Sequence, residues 1–475
     1  MTTGLNFWDL EVWSFIIMLS VLFAGMLGAN MLRRRIGFLR RSLIPSSVLG
    51  GFLILAADFI YRGISGHSMF NLEVLEALTF HGLGLGFVAL AWRKADGKRK
   101  EKSARRDVFN TSTVVVGTYL LQGIVGLTIT IPLFYLVGSY AAGGILLPMG
   151  YGQGPGQALN WGTIFQNYTE YPSFKYGASF GLTVAAMGFV SASIGGVLYL
   201  SKMRRAGDRR AQVQNAEEIE DLNASIITEK GEIPLSESMD KLTVQVAIVF
   251  VTYFVAFGAM WYATKGLDAL GGFWVNTVKP LLWGFNFLVG TAFAILFKNI
   301  LTDLRKKGVV HRDYINNFML NRISGLFFDV MVTASIAAIS LEAFEHREFI
   351  LPLTLICIAG ALVTYWYNLR VCRFLFPEYS DESFLTMYGQ NTGTASTGII
   401  LLREIDPLFQ TPASHNLIYQ NLWSILLGAP MLLLLGFVAR SIRWTWIVYG
   451  ILYVLFGMML VIQYRSKIFK KRQKS

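Results

Sequence analysis

The sequence predicts an all-α integral membrane protein built from two inverted five-helix repeats, each with a re-entrant hairpin, and one extra C-terminal helix. Three observations predict it. Uncharged apolar runs of about twenty residues, the length an α-helix needs to cross a hydrocarbon core of about 30 Å, fill almost the whole chain. Lys and Arg gather in short segments between those runs. A motif in the first half returns half a chain later. With 53% hydrophobic residues, 15% charged residues and a mean hydropathy of +0.47, the chain carries more apolar surface than a soluble domain can bury.

In chain order, spanning helices are expected at about 12–32, 44–61, 73–92, 108–138 and 174–201, then 242–263, 273–297, 319–341, 350–371, 417–440 and 444–464. The first run ends on Arg33, Arg34 and Arg35, whereas a cleaved signal peptide carries its basic residues before a shorter run, so it reads as a retained span. Two stretches, about 140–173 and 384–415, are apolar but interrupted by Gly, Pro and polar residues.

Of the 42 Lys and Arg, 31 fall in five segments: 33–41, 93–107, 202–241, 298–313 and 465–475. The positive-inside rule places all five on the cytoplasmic side. Were the interrupted stretches ordinary crossings, 202–241 and 298–313 would lie outside; as hairpins returning to their own side they remove the conflict. The expected organisation is a first repeat over 1–201, a charged cytoplasmic linker over 202–241, a second repeat over 242–440, and an extra helix with a basic tail over 441–475. The N-terminus is then outside and the C-terminus inside, in the cytoplasmic membrane of a bacterium. The linker holds nine Asp/Glu and seven Lys/Arg and little apolar content, which predicts a solvated segment.

The net charge of +12 resolves into these loop clusters, so no nucleic-acid partner is expected. Cys357 and Cys372 are too few and too embedded for a disulfide framework or a zinc site. No metal or cofactor is called for beyond a transported cation.

The recurring motif is Tyr151-Gly152-Gln153-Gly154-Pro155-Gly156-Gln157-Ala158, matched by Tyr388-Gly389-Gln390-Asn391-Thr392-Gly393-Thr394-Ala395 at five of eight positions and an offset of 237. A weaker echo pairs Pro45 with Pro280 and Phe52-Leu53 with Phe287-Leu288. Each motif copy lies in the interrupted stretch of its own half, as a duplicated, inverted-repeat transporter predicts. Unwound backbone at membrane depth is costly unless protein, water or ligand satisfies it. Glycines 152, 154 and 156 permit close approach, Gln153 and Gln157 add amides, and flanking short helices aim positive ends inward. Candidate substrate-binding residues are therefore Tyr151, Gly152, Gln153, Gly154, Gly156, Gln157, Tyr388, Gly389, Gln390 and Asn391. The oxygens of Thr392, Thr394, Ser396 and Thr397 are candidate Na⁺ ligands, since a hard cation prefers oxygen; small residues that merely allow tight helix packing are the alternative.

Ile44-Pro45 followed by Gly50-Gly51, the Phe80 to Gly86 segment before a basic loop, and the two glycine-rich stretches resemble the sodium/glutamate symporter family, in order and spacing, over most of the chain to about Arg440. The resemblance implies inverted five-helix halves with re-entrant loops, Na⁺-coupled symport of glutamate by alternating access, and a homodimer. The family pattern has a Gly-His-type run in each hairpin; here Tyr151-Gly152-Gln153 and Tyr388-Gly389-Gln390 stand instead.

Asp329 lies mid-span, where a charge costs about 2.5–3.5 kcal/mol on insertion scales, so it is expected to face a cavity or be protonated; it could bind Na⁺ or carry a proton, the alternative being a carboxyl hydrogen-bonded to a neighbouring helix. His81 could titrate near neutral pH, while a structural helical His is the commoner case. Arg322 and Arg403 could pair with a carboxylate. Asp58 reads as interfacial, and Glu342, Glu345, His346 and Glu348 as a solvated loop. Competing readings are a Na⁺- or H⁺-coupled symporter of another small carboxylate or amino acid, and, from other classes, an intramembrane enzyme or a channel. The enzyme would want paired aspartates or a His-Glu-x-x-His run, which the sequence lacks, so no enzymatic activity is expected.

Overall fold

The computed structural model describes residues 7–94, 102–168, 174–206, 240–312, 314–407 and 409–472. All regular elements among them are helices. Most of the linker, 207–239, lies outside the described residues, as do 473–475 of the basic tail.

Helix α1 (Leu10–Arg35) ends on its three arginines, where positive charge suits the helix C-terminus. A short α2 (Gly37–Arg41) leads to α3 (Ser46–Ser65), which begins behind Pro45 and stops at Gly66, a left-handed residue at φ +77°. Helix α4 (Leu72–Trp92) is capped by Asn71, whose side chain accepts from the Glu73 N–H. Helix α5 (Lys102–Val137) runs 36 residues. After a 3₁₀ turn over Ala141–Ile145 come two short helices, α6 (Leu146–Tyr151) and α7 (Pro155–Gln166), then α8 (Gly177–Arg205).

The second half follows the same sequence of elements. Helix α9 (Lys241–Leu270) is capped by Asp240. The single span expected over 273–297 is instead broken: a π turn at Trp274–Val278, α10 (Lys279–Gly284), a bend at Phe285 and then α11 (Asn286–Lys306). Pro280 lacks an N–H and Phe285 leaves the helical region at ψ 30°, and the apolar character of the run hides both from hydropathy. Helices α12 (Asn317–Ala337) and α13 (Arg347–Leu375) precede a second pair of short helices, α14 (Ser380–Thr392) and α15 (Ala395–Arg403). Helices α16 (Ala413–Tyr419) and α17 (Asn421–Val438) are bent by 51° and α18 (Ile442–Arg472) is last. Among the described residues, ten helices are long and apolar enough to cross a membrane, and the bent pair makes an eleventh if it counts as one.

The helices sort into two bundles. One holds α1, α3, α4, α9, α11 and α12, packed through Leu83, Val88, Phe287 and Met331; the other holds α5 to α8 and α13 to α18, packed through Leu120, Ile145, Trp161, Phe180, Ile356 and Phe384. Each half of the chain gives its first three long helices to the first bundle and the rest to the second. Small residues allow the close contacts: a Cβ on Gly82 would lie 2.9 Å from that of Met331, joining α4 to α12. Helix α8 is the most enclosed, 72% of its apolar window being buried against 17% for α1.

Candidate functional site

Both motif copies lie where a helix breaks. In the first, α6 ends at Tyr151, and the N–H groups of Gly152 and Gln153 both reach the Pro148 carbonyl. Gly154 then takes φ +85°, ψ −179°, a conformation essentially restricted to glycine, and Pro155 opens α7 with the φ a first helical residue needs. In the second copy α14 stops at Thr392, Gly393 leaves the helix at φ −140°, ψ −102°, Thr394 is extended, and α15 begins at Ala395. Helices α14 and α15 fold back on one another, since a Cβ on Gly389 would lie 2.7 Å from the Gly398 Cα.

The two breaks touch. A Cβ on Gly154 would stand 3.4 Å from Thr394 Cγ2 and 3.9 Å from the Gly393 carbonyl. Helices α7 and α15 thus start at a common point, and neither N-cap residue closes its helix with a side chain. Their free N–H groups make that point electropositive.

Beside it lies a cavity of about 220 Å³ between the two bundles. Gly152, Gln153 and Gln157 line it from the first break, and Gln390, Thr394 and Ser396 from the second. Across from them stands Asp329 of α12, exposed on the cavity wall, with its carboxylate beside the Ser47 hydroxyl. Asp329 is the single charged side chain among the described residues of the wall, which is otherwise rich in Phe87, Phe189, Phe287 and Phe328.

Several wall residues were not singled out from sequence. Tyr119 of α5 donates to the Gly152 carbonyl at 2.7 Å and also hydrogen-bonds Gln390, so one phenol connects the two breaks. Gln420, Asn421 and Ser424 enter from the α16–α17 bend, where Gln420 Nε2 donates to Asn421 Oδ1 at 2.7 Å and the Ser424 hydroxyl to Gln420 Oε1. Their signal was the polar cluster Gln420-Asn421 at the head of an apolar run.

Other motif residues act on the surrounding protein. Tyr151 is fully buried, its hydroxyl 2.9 Å from Ser191 Oγ and donating to the Cys357 carbonyl at 2.8 Å. Tyr388 donates to the Ser191 carbonyl at 3.0 Å, so both breaks hang from one residue of α8. Gly156 packs on Leu83 and Gly389 on Gly398. Gln157 lines the cavity, but its amide donates to the Gly284 carbonyl at 3.1 Å and accepts from the Trp161 indole. Thr392 donates to the Tyr388 carbonyl at 2.6 Å, and the Thr394 and Thr397 hydroxyls lie 3.4 Å apart. Asn391 is fully buried in a polar cluster off the cavity wall.

The remaining candidates lie elsewhere. Asp58 pairs with Arg62 at 2.7 Å and accepts from Ser68 and the Met69 N–H. His81 Nδ1 stands 3.0 Å from the Tyr253 hydroxyl. Arg322 lies over Phe318 and Arg403 over Phe409, neither on the wall. Glu404, past the end of α15, has its carboxyl pushed up by burial against the pull of Arg204, 3.6 Å away. His346 faces Glu348 at 3.6 Å and Glu342 faces Arg62 at 3.9 Å; the described residues contain no His/Cys/Asp/Glu group able to hold a metal.

No protein-family model and no curated protein matches this chain. The functional reading therefore rests on the cavity itself, a small, mostly apolar chamber with one carboxylate on one wall and two broken helices, one from each half of the chain, on the other.

Proposed function

We propose that the protein is a cation-coupled secondary transporter working by alternating access, with sodium as the coupling ion and glutamate as the solute. The observation that carries this reading is the pairing of two helix N-termini with a wall that holds Asp329 and, among its described residues, no basic side chain. A solute carboxylate is favoured at helix N-termini. It would nonetheless share about 220 Å³ with Asp329, and like charges in a space of low dielectric oppose each other strongly. A cation bound with the solute removes that conflict, so the cavity favours entry of the two together.

In this reading the broken helices are re-entrant hairpins and the halves are inverted repeats, with the N-terminus outside and the C-terminus in the cytoplasm of a bacterium. A homodimer is what the family resemblance adds. The division into two bundles supports the mechanism, because the cavity lies between them and rocking one against the other would open it to each side in turn.

The test is uptake of radiolabelled L-glutamate into proteoliposomes under an imposed Na⁺ gradient, with a pH gradient as the alternative drive and unlabelled amino acids and dicarboxylates as competitors. Sodium-driven accumulation is expected. Drive by protons alone would move the coupling role to proton transfer through Asp329, and displacement of label by another solute would replace glutamate. No accumulation of any of these solutes under either gradient would refute the transporter reading.

A further inference from the structure

Behind the second break, away from the cavity, five polar side chains are wholly enclosed. Thr118 and Gln122 stand one turn apart near the middle of α5, Thr364 and Asn368 one turn apart in α13, and Asn391 in the last turn of α14. All five are 0% exposed, and none is charged.

Both amide hydrogens of Gln122 and of Asn391 are used. Gln122 Nε2 donates to Thr364 Oγ1 and to the Asn391 carbonyl, both at 2.8 Å. Asn391 Nδ2 donates to Thr118 Oγ1 and Asn368 Oδ1, both at 3.1 Å. Asn368 Nδ2 donates to the Thr364 carbonyl at 2.9 Å, and the Thr118 hydroxyl to the Val114 carbonyl at 2.7 Å. The amide orientations are fixed by this pattern. A main-chain carbonyl can only accept, so Gln122 must present nitrogen to Asn391 O, and Asn368 must present nitrogen to Thr364 O and oxygen to Asn391.

Two acceptors are left over, Gln122 Oε1 and Asn391 Oδ1, both buried and neither hydrogen-bonded within the protein. Two buried carbonyl oxygens without a donor are suited to a hard cation. Helix α14 ends one residue beyond Asn391, and the negative end of its dipole adds to the attraction. The site carries no net charge, which favours a monovalent over a divalent ion.

We infer that Gln122 Oε1 and Asn391 Oδ1, with the Thr118 and Thr364 hydroxyl oxygens beside them, form a binding site for a dehydrated Na⁺ ion distinct from the cavity and from the hydroxyls of the second break. This rests on the transporter reading only for its purpose. Asn391 adjoins Gln390 on the cavity wall, and Gln122 shares α5 with Tyr119, which hydrogen-bonds both Gly152 and Gln390. An ion joining α5 to the end of α14 therefore holds the polar wall of the cavity in place, and ion and solute strengthen each other's binding reciprocally.

The experiment measures ²²Na⁺ binding to the purified full-length protein in detergent without solute, at constant ionic strength set with choline chloride. Gln122→Met keeps the length of the side chain and removes its oxygen; Na⁺ affinity is expected to fall about tenfold or more. Gln122→Glu restores an oxygen with a titratable charge and is expected to bind Na⁺ at least as tightly as wild type at high pH, and more weakly as pH falls. Wild-type affinity in a folded Gln122→Met protein would overturn the site and leave those oxygens to ordered water. Should that variant fail to fold, a pH-independent, wild-type affinity in Gln122→Glu would overturn it equally. Absence of ²²Na⁺ binding to the wild type would sink sodium coupling together with this site, whereas failure of glutamate as a solute leaves the binding result untouched.

Discussion

Gly154→Ala isolates the contact between the two breaks. Two effects of opposite sign operate, and the structure gives each a size. At φ +85° and ψ −179° a side chain is strained, at a cost on the order of 1–3 kcal/mol. Alanine also restricts the unfolded chain, which returns about 0.4–1 kcal/mol. A direct clash is excluded, because the new Cβ would stand 3.4 Å from Thr394 Cγ2, an ordinary contact. The net loss in global stability is at most about 2.6 kcal/mol, while within the folded protein, where the unfolded-chain term does not enter, the strain alone lowers the population of the arrangement that brings the tips together roughly five- to 160-fold. The control is Gly143→Ala, where the nearest atom is 3.7 Å away and φ is not positive. The assay pairs the melting midpoint in detergent with initial uptake rate in proteoliposomes, both expected to fall for Gly154→Ala and to hold for Gly143→Ala. A Gly154→Ala protein as stable and as active as the control would refute the conformation assigned to the first break, and with it the meeting of the tips.

Three further substitutions test separate parts of the same geometry. Tyr119→Phe leaves the Gly152 carbonyl without its 2.7 Å partner, costing about 1–3 kcal/mol, and is expected to raise the apparent KM for solute with little change in protein yield. Asp329→Asn removes the wall's charge while keeping its shape, and is expected to abolish the dependence of uptake on the cation gradient while exchange across the membrane persists; unchanged gradient dependence would clear Asp329 of any coupling role. Asp58→Asn removes the charge of the buried Asp58 from its 2.7 Å pair with Arg62, which is 23% exposed and keeps Glu342 at 3.9 Å, and is expected to destabilise the protein by about 1–3 kcal/mol, read as a lower melting midpoint.

The helical membrane architecture was legible in the sequence because a bilayer imposes one length and one composition on every span. The break between α10 and α11 was not, because Pro280 and Gly284 interrupt the helix without interrupting the apolar run, and hydropathy registers only the second. The carbonyl that this break exposes, Gly284 O, is taken up by Gln157 and Asn160 of α7, a partnership with no local signature. Repetition of the motif located both helix breaks correctly in the chain. It could not say which of the motif side chains face the cavity, since consecutive helical positions turn by about 100°. Gln390 of α14 and Gln153, which lies in the first break outside any helix, reach the wall, while the equally conspicuous Tyr151 and Tyr388 point to α8. Tyr119 and Gln122 were overlooked for a simpler reason: polar side chains inside an apolar span were weighed only where they were charged.

Ser191 constrains how such a cavity could open. Its hydroxyl meets Tyr151 at 2.9 Å and its carbonyl accepts from Tyr388 at 3.0 Å, so both breaks are tied to one residue of α8, the most enclosed of the candidate spans. On the same side a Cβ on Gly188 would lie 2.3 Å from the Thr392 carbonyl, which leaves no room for sliding between α8 and α14. Two tips fastened this way cannot serve as independent gates, one opening outward while the other stays shut. Their shared support on α8 couples the two tips, while Asp329 and the phenylalanines of α4, α11 and α12 face them across the cavity without a hydrogen bond from the tips to Asp329 among the described residues. Cross-linking a tip to α12 should therefore stop uptake, whereas a disulfide joining α8 to α14 should leave it intact.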